Sequence, residues 1–210
     1  MRILNVISVE DPAWNQEDGG KLDISLVWKI LLYGWTASEV IIAIATRTRS
    51  SAGKVKDRGS LIILWVTITL AITAGEAIHY GMRSNSIGGG HGLIVAAIAV
   101  LIAGIAIRWT AILSLGKAFS SNVAIRDTQT IYRHGLYRFL RHPSYTGLLL
   151  VFLAVGLQER NWIACIVIMA PTTAAVFYRI HVEEAALNEA FGAQYAAYSK
   201  QTKRLIPGVY

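Results

Sequence analysis

The sequence predicts an all-α, polytopic membrane protein with about five transmembrane helices and a further C-terminal helix at the membrane interface. Hydrophobic residues make up 54% of the 210 residues and charged residues only 16%, whereas soluble domains carry about 25% charged residues. Apolar runs of roughly 17–25 residues, long enough to cross the hydrocarbon core as helices, recur along the chain. Basic residues cluster beside these runs, which is typical of cytosolic loops.

Four of the five spans follow directly from long apolar runs, because each run is uncharged over most of its length. A proline inside the last of these runs, Pro171, is expected to kink that helix. The four predicted spans cover roughly Ile24–Ala45, Leu61–Tyr80, Leu93–Leu113 and Trp162–Tyr178.

A shorter apolar run, Tyr145–Leu157, predicts a fifth crossing that is the fourth in chain order. Because this run alone is short for a crossing, we expect the helix to begin at Pro143 and to extend through Gln158. It then forms a tight hairpin with the following span across Glu159–Asn161. The chain leaves no room for a separate soluble domain, so residues 1–210 are expected to form one membrane domain.

Charge predicts the orientation of this domain. The segments after the first and third spans and the tail after the fifth are rich in Lys and Arg, whereas the N-terminal tail is acidic. The positive-inside rule therefore places the N-terminus outside and the C-terminus in the cytosol. Membrane topology also accounts for the formal net charge of +7, so we expect membrane lipids rather than nucleic acid as the partner.

Several ionisable or reactive side chains fall within the apolar runs. Lys29 is expected to extend its charge outward, and Arg108 to lie near the inner interface without a specific role. Glu39 is the most interior and either lines a polar cavity or donates a hydrogen bond to another helix in its protonated form. The single cysteine, Cys165, leaves neither an intrachain disulfide nor a cysteine metal site available.

Residues 142–143, a His-Pro pair, precede the shorter span. Proline is preferred at the first helical position, so the amides of residues 144–146 are expected to be free at the cytosolic end of this helix. With the positive end of the helix dipole, they form a seat for a carboxylate or a phosphate, with Arg138 and Arg141 beside it. The alternative is a set of interfacial anchors that contact lipid headgroups.

Arg179 and Glu183 are four residues apart, so they share a face if the helix continues beyond the membrane. They form either an exposed ion pair or a divided site, in which Arg179 holds an anionic group and Glu183 accepts hydrogen bonds from a polar ligand. A helix from Glu184 to about Ser199 follows. It either closes over the site or anchors the chain at the interface. Its apolar positions at helical spacing are Leu187, Phe191, Tyr195 and Tyr198.

Together these motifs resemble the isoprenylcysteine carboxyl methyltransferase family, within a wider group that includes the phospholipid N-methyltransferases. The resemblance covers roughly Arg108–Tyr210. The motifs that carry it are GLYRFLRHPSYTG at residues 135–147, Arg179-x-x-x-Glu183-Glu184, Phe191-Gly192, and the pair Tyr195 and Tyr198.

The resemblance implies S-adenosylmethionine-dependent methyl transfer by residues 93–210, while residues 1–92 supply two spans and their loops. It implies carboxyl O-methylation of a prenylated or lipid-like substrate that enters from the bilayer, with Arg179 as the catalytic residue that binds the substrate carboxylate. No metal site is implied. The residues implied to bind the cofactor are Gln129, Thr130, Ile131, Tyr132, Tyr137, His142, Pro143, Ser144, Tyr145 and Glu183.

The chain departs from the family pattern at one of these positions. The family usually has a His-x-Leu-Val stretch where this chain has residues 129–132, with Gln129 in place of the histidine. The amide of Gln129 can donate and accept hydrogen bonds, but it carries no charge.

Three other functions remain open from the sequence. The first is N-methylation of a phospholipid or another amine. The second is a sterol-reductase-like NADPH enzyme, which the Arg-His run and the C-terminal Arg204-x-x-Pro-Gly-x-Tyr resemble; the proline after His142 argues against it. The third is a non-enzymatic scaffold or a small transporter, which predicts mid-membrane charges in several spans, where only Glu39 qualifies clearly.

Overall fold

The computed structural model describes residues 23–46, 54–55, 59–81, 87–88, 90–119, 124–125 and 130–208. Within these residues the chain is almost entirely helical, and four helices are long and apolar enough to cross a membrane. The predicted all-α membrane fold is therefore confirmed. The helices are α1 (Ile24–Ala45), α2 (Ser60–Gly81), α3 (Gly90–Leu115), α4 (Pro143–Gln158), α5 (Trp162–Phe191) and α6 (Ala193–Gln201).

Short elements connect the third and fourth helices. Two 3-10 helices, Gly116–Ala118 and Gly135–Arg138, flank the described part of this connection. Between them, strand β2 (Ala124–Ile125) pairs in antiparallel fashion with β1 (Lys54–Val55) from the α1–α2 connection. The connections that follow α1 and α3 therefore lie together at one end of the helix bundle.

The α4–α5 hairpin agrees with the prediction. Helix α4 begins at Pro143 and ends at Gln158, and Asn161 caps the start of α5. The Asn161 side chain accepts hydrogen bonds from the amides of Ile163 at 2.9 Å and Ala164 at 3.2 Å. This cap satisfies two amides that a helix end otherwise leaves unpaired, which stabilises the tight turn.

Glycines allow the closest helix contacts. Helix α3 packs on α4, and α2 packs on α5. A Cβ atom added to Gly147 would lie 2.6 Å from the carbonyl oxygen of Gly104, and one added to Gly75 would lie 2.7 Å from Ile168. Small residues of this kind let membrane helices approach backbone to backbone, and Gly104 and Gly147 allow this between α3 and the first turns of α4.

The C-terminal part of the bundle differs from the prediction. The fifth span was expected to cover roughly Trp162–Tyr178, with a further helix from Glu184 to about Ser199. Instead α5 continues to Phe191 and α6 begins only at Ala193. The helix continues beyond its apolar part because neither glycine nor proline occurs between Tyr178 and Gly192. Gly192 ends it, and its φ of 50° suits glycine. Pro171 lies inside α5, and the kink expected there stays a prediction.

Candidate functional site

A pocket lies beside the start of α4, between the C-terminal ends of α1 and α3, the N-terminal end of α2, and α5 and α6. It brings together most of the residues that the sequence implied. Pro143 is fully buried and does not line the pocket, and Gln129 lies outside the described residues. The implied residues that line the pocket are Thr130, Ile131, Tyr132, Tyr137, His142, Ser144, Tyr145, Arg179 and Glu183.

The hydroxyl of Tyr145 joins the two charged residues of α5. It donates to Glu183 Oε2 at 3.0 Å and accepts from Arg179 Nε at 3.2 Å. Arg179 is only 2% exposed, and its Nη1 also donates to Ser60 Oγ at 2.5 Å. The alternative of an exposed surface ion pair is therefore wrong, because Arg179 is buried in the pocket wall.

These contacts define what the two residues can do. A guanidinium can bind a carboxylate through two parallel N–H bonds, and the contacts of Arg179 include the neutral hydroxyls of Ser60 and Tyr145. The side chain of Glu183 is 34% exposed, so its carboxylate can accept hydrogen bonds from a ligand in the pocket. Arg179 and Glu183 thus offer complementary chemistry within one turn of α5.

The expected seat of free amides at the start of α4 is wrong for two of its three members. The amides of Tyr145 and Thr146 both donate to the carbonyl of His142, at 3.0 and 3.2 Å. The bond from Thr146 is the ordinary first bond of a helix capped by His142, and the bond from Tyr145 is a 3-10 contact that tightens the first turn. Of the expected seat only the amide of Ser144 remains, so an anion at this place relies mainly on arginine side chains.

The role of Arg108 was also underestimated. Its Nε and Nη2 donate to the two carboxylate oxygens of Glu39, the second at 2.5 Å, and its Nη1 donates to the carbonyl of Ser144 at 3.1 Å. Glu39 and Arg108 are 4% and 7% exposed and both line the pocket. Each residue stood out in the sequence as a charge in an apolar helix, but their pairing across two helices could not be read from it.

The N-terminal spans, which carry no motif, contribute a largely apolar wall. Residues at the end of α1 and the start of α2 line part of the pocket. Apart from Glu39, these residues are Ile42, Ala43, Leu61, Leu64 and Trp65. These side chains give this part of the pocket a largely apolar lining.

Aromatic residues of α6 complete the wall. The hydroxyl of Tyr198 donates to the carbonyl of Tyr137 at 2.7 Å, and burial raises the pKa of Tyr198 to about 12. Burial also raises the pKa of Tyr137. Both hydroxyls therefore remain protonated at physiological pH, so Tyr198 keeps its donated bond and ties α6 to the segment before α4.

Tyr195 provides a test of whether this pocket suits a polar ligand. Its side chain lines the pocket and is 3% exposed, yet its hydroxyl has no hydrogen-bond partner within the described residues. A buried hydroxyl without a partner costs about 1–3 kcal/mol. A ligand with hydroxyl, amino and carboxylate groups, such as S-adenosylmethionine, fits a pocket lined by this hydroxyl, the Glu183 carboxylate and Arg141, whose Nε and Nη1 also bind Glu184 and the carbonyls of Ser199 and Thr202.

Comparison with known proteins agrees with the motifs. Residues 96–189 match the model of the isoprenylcysteine carboxyl methyltransferase (ICMT) family. Protein-S-isoprenylcysteine O-methyltransferase A of Arabidopsis thaliana is 30% identical over 53% of this chain and 58% of its own length. Protein-S-isoprenylcysteine O-methyltransferase of Tribolium castaneum is 34% identical over 56% of this chain and 42% of its own length. The resemblance inferred from the motifs is confirmed.

Two further similarities complete the comparison. Methanethiol S-methyltransferase 1 of Bradyrhizobium diazoefficiens is 35% identical over 34% of this chain and 24% of its own length. The solved structure of a eukaryotic intramembrane Ras methyltransferase, ICMT, is 28% identical, covers 71% of this chain and 51% of its own, and superposes with a TM-score of 0.49. The chain thus spans only about half the length of the curated isoprenylcysteine methyltransferases it matches.

Proposed function

We propose, on the premise that residues 96–189 are related to the isoprenylcysteine carboxyl methyltransferase family, that this protein is a membrane-embedded, S-adenosylmethionine-dependent methyltransferase. Its acceptor is the carboxylate of a prenylated or lipid-like substrate. The observation that carries the proposal is the Tyr145 hydroxyl, which joins Arg179 and Glu183 in a single pocket.

The division of labour follows from the chemistry of the two charged groups. S-adenosylmethionine supplies an activated sulfonium methyl group, so a carboxylate can attack it without a general base. Arg179 holds the acceptor carboxylate and fixes its direction of attack. Glu183 accepts hydrogen bonds from hydroxyl or amino groups of the cofactor. The apolar wall formed by α1 and α2 keeps water away from the reacting groups.

Further cofactor contacts are proposed from the residues that surround Glu183 in the pocket. They are Thr130, Ile131, Tyr132, Tyr137, His142, Ser144 and Tyr145, with Pro143 setting the first turn of α4 behind them and Gln129 preceding them in the chain. We propose that residues 93–210 provide these groups while residues 1–92 supply the apolar wall. The N-terminus lies outside and the pocket faces the cytosol, following the distribution of basic residues.

The charge of the pocket favours a carboxylate acceptor over an amine. The buried guanidinium of Arg179 attracts an anion and repels an ammonium group. Glu39, the carboxylate nearest the apolar wall, is already paired with Arg108, so it does not offer a site for a cation. The apolar residues beside this pair suit the hydrocarbon part of a lipid-like substrate, which reaches the pocket from the bilayer.

The proposal is tested with purified protein in detergent. S-adenosylhomocysteine at about 100 times its Kd should raise the stability of the protein by about 2.7 kcal/mol, whereas NADPH should have no effect. Labelled methyl groups should transfer to a small prenylated cysteine with a free carboxylate and not to its carboxamide. A protein that is stabilised by NADPH, or by neither ligand, contradicts the proposal.

The hydroxyl of Tyr195 gives a finer test of cofactor binding. Tyr195→Phe removes a buried hydroxyl without a described partner, so the ligand-free protein should unfold at the same temperature or higher. Affinity for S-adenosylhomocysteine should fall about two- to tenfold, as for loss of one neutral hydrogen bond. Thermal unfolding and calorimetry measure the two effects.

Tyr198→Phe is the matched control on the same helix. It removes a hydroxyl that donates to the carbonyl of Tyr137, so the ligand-free protein should lose about 1–3 kcal/mol of stability. If Tyr195→Phe also destabilises the ligand-free protein and leaves the affinity unchanged, the hydroxyl of Tyr195 has a structural role and does not bind the cofactor.

A further inference from the structure

The segment after α6, residues 203–205, is hydrogen-bonded to residues 139–142, which precede α4. The amide of Lys203 donates to the carbonyl of Phe139 at 3.0 Å, and the amides of Arg141 and His142 donate to the carbonyls of Lys203 and Arg204 at 2.7 and 3.1 Å. These bonds form a short parallel pairing with Leu140 opposite Lys203. The C-terminal segment therefore determines the backbone position of two residues that line the pocket.

Two further contacts anchor the same segment. The hydroxyl of Thr146, in the first turn of α4, donates to the carbonyl of Leu205 at 2.7 Å. The side chain of Leu205 is 4% exposed and packs into the main hydrophobic core. Because it is held on both sides of Arg204, the segment presents that side chain at a defined place.

Arg204 and Lys203 are adjacent, but their side chains face different surroundings. Lys203 is exposed. Arg204 is half-buried and binds Glu184, with Nη2 at 2.9 Å and Nε at 3.1 Å from Oε2. A charge-assisted contact through two donors fixes the orientation of a carboxylate as well as its position.

The other oxygen of Glu184 reaches the pocket wall. Its Oε1 accepts from Arg141 Nε at 2.9 Å and faces Nε2 of His142 at 3.3 Å. His142 is 4% exposed, and its other ring nitrogen lies 3.9 Å from Oε2 of Glu183. His142 and Glu183 line the pocket, but Glu184 and Arg204 do not. A chain of contacts thus runs from Arg204 through Glu184 to the ring of His142.

We propose that Arg204 is a positioning residue for the methyl-donor site, acting through Glu184 to hold the imidazole of His142 against Glu183. This inference rests on the proposed function. Without Arg204, one oxygen of the Glu184 carboxylate loses the partners described for it, and the carboxylate can rotate away from His142. The imidazole then loses its fixed place in the wall, and ligand affinity falls although Arg204 does not line the pocket.

The test compares three variants at adjacent or matched positions by calorimetry with S-adenosylhomocysteine. Arg204→Gln should weaken the affinity about tenfold, and Arg204→Lys, which keeps the charge but not the paired donors, should recover part of that loss. Lys203→Gln removes the same charge from the same segment at an exposed position. Its affinity should stay within about twofold of wild type. This margin allows for the loss of long-range attraction between the lysine charge and the ligand.

A double variant distinguishes action through Glu184 from a general loss of structure. If Arg204 acts through Glu184, the variant Glu184→Gln/Arg204→Gln should bind S-adenosylhomocysteine no more weakly than Glu184→Gln alone. The reason is that the effects of substitutions at contacting residues do not add. Additive losses, an unchanged affinity in Arg204→Gln at any unfolding temperature, or an equal loss in Lys203→Gln each overturn the inference. Absence of binding by the wild-type protein overturns the proposed function and this inference together.

Discussion

Arg179→Ala is expected to reduce methyl transfer at least about 10²-fold while affinity for S-adenosylhomocysteine stays within about threefold of wild type. The guanidinium is buried beside Ser60 and Tyr145, where it can hold an acceptor carboxylate. Its loss removes an interaction that aligns the acceptor with the methyl group, which lowers turnover rather than cofactor binding. Steady-state kinetics with a prenylated carboxylate substrate and calorimetry of the same preparation measure the two quantities.

Arg179→Lys separates charge from geometry in the same experiment. Lysine keeps a cation at this place but cannot form two parallel bonds to a carboxylate, so turnover should remain well below wild type. A lysine variant with full activity would show that any positive charge suffices and that the guanidinium does not orient the acceptor.

Glu183→Gln should mainly weaken cofactor binding, in contrast to Arg179→Ala, which should mainly lower turnover. Affinity for S-adenosylhomocysteine should fall about tenfold or more, because a hydrogen bond to a charged group contributes about 1.5–3 kcal/mol. The amide can still contact the hydroxyl of Tyr145, so the fold should be retained. Equal cofactor affinities in Arg179→Ala and Glu183→Gln would contradict the assignment of separate roles to the two residues.

The fold could be predicted from sequence because the bilayer restricts the possible structures. Only helices satisfy their own backbone groups in hydrocarbon, so apolar runs give the spans almost directly. Helix α1 has the predicted bounds of Ile24–Ala45, and the hairpin turn of residues 159–161 was placed correctly. Beyond the membrane this constraint ends, and the length of α5 depended instead on where Gly192 interrupts the helix.

The sequence motifs predicted the polar residues of α4 and α5 in the site, but not the residues that other helices contribute. Tyr145 and Glu183 belong to runs that were singled out in the sequence, and they meet at 3.0 Å. Ser60 carried no signal, because a serine that begins a membrane helix is common, and its contact with Arg179 depends on how α2 packs against α5. The expectation of free amides at residues 144–146 overlooked the carbonyl of His142, which accepts hydrogen bonds from two of these amides.

Glu39→Gln is expected to destabilise the protein by about 3–5 kcal/mol, the usual cost of leaving one partner of a buried ion pair uncompensated. Glu39 and Arg108 are 4% and 7% exposed, and the carboxylate accepts two donors from the guanidinium. The loss should appear as a large fall in the thermal unfolding temperature in detergent. Glu76→Gln, at an exposed carboxylate on α2, should change the stability by less than about 1 kcal/mol.

Replacing both partners tests why the chain keeps this pair. Glu39→Leu/Arg108→Met fills the space with apolar side chains and should recover much of the lost stability, since apolar replacements of buried ion pairs are often neutral or stabilising. The pair lines the pocket, and Arg108 also binds the carbonyl of Ser144 in the first turn of α4. The double variant should therefore fold but bind S-adenosylhomocysteine more weakly. Wild-type affinity in this stable variant would show that the pair only joins α1 to the bundle and does not shape the site.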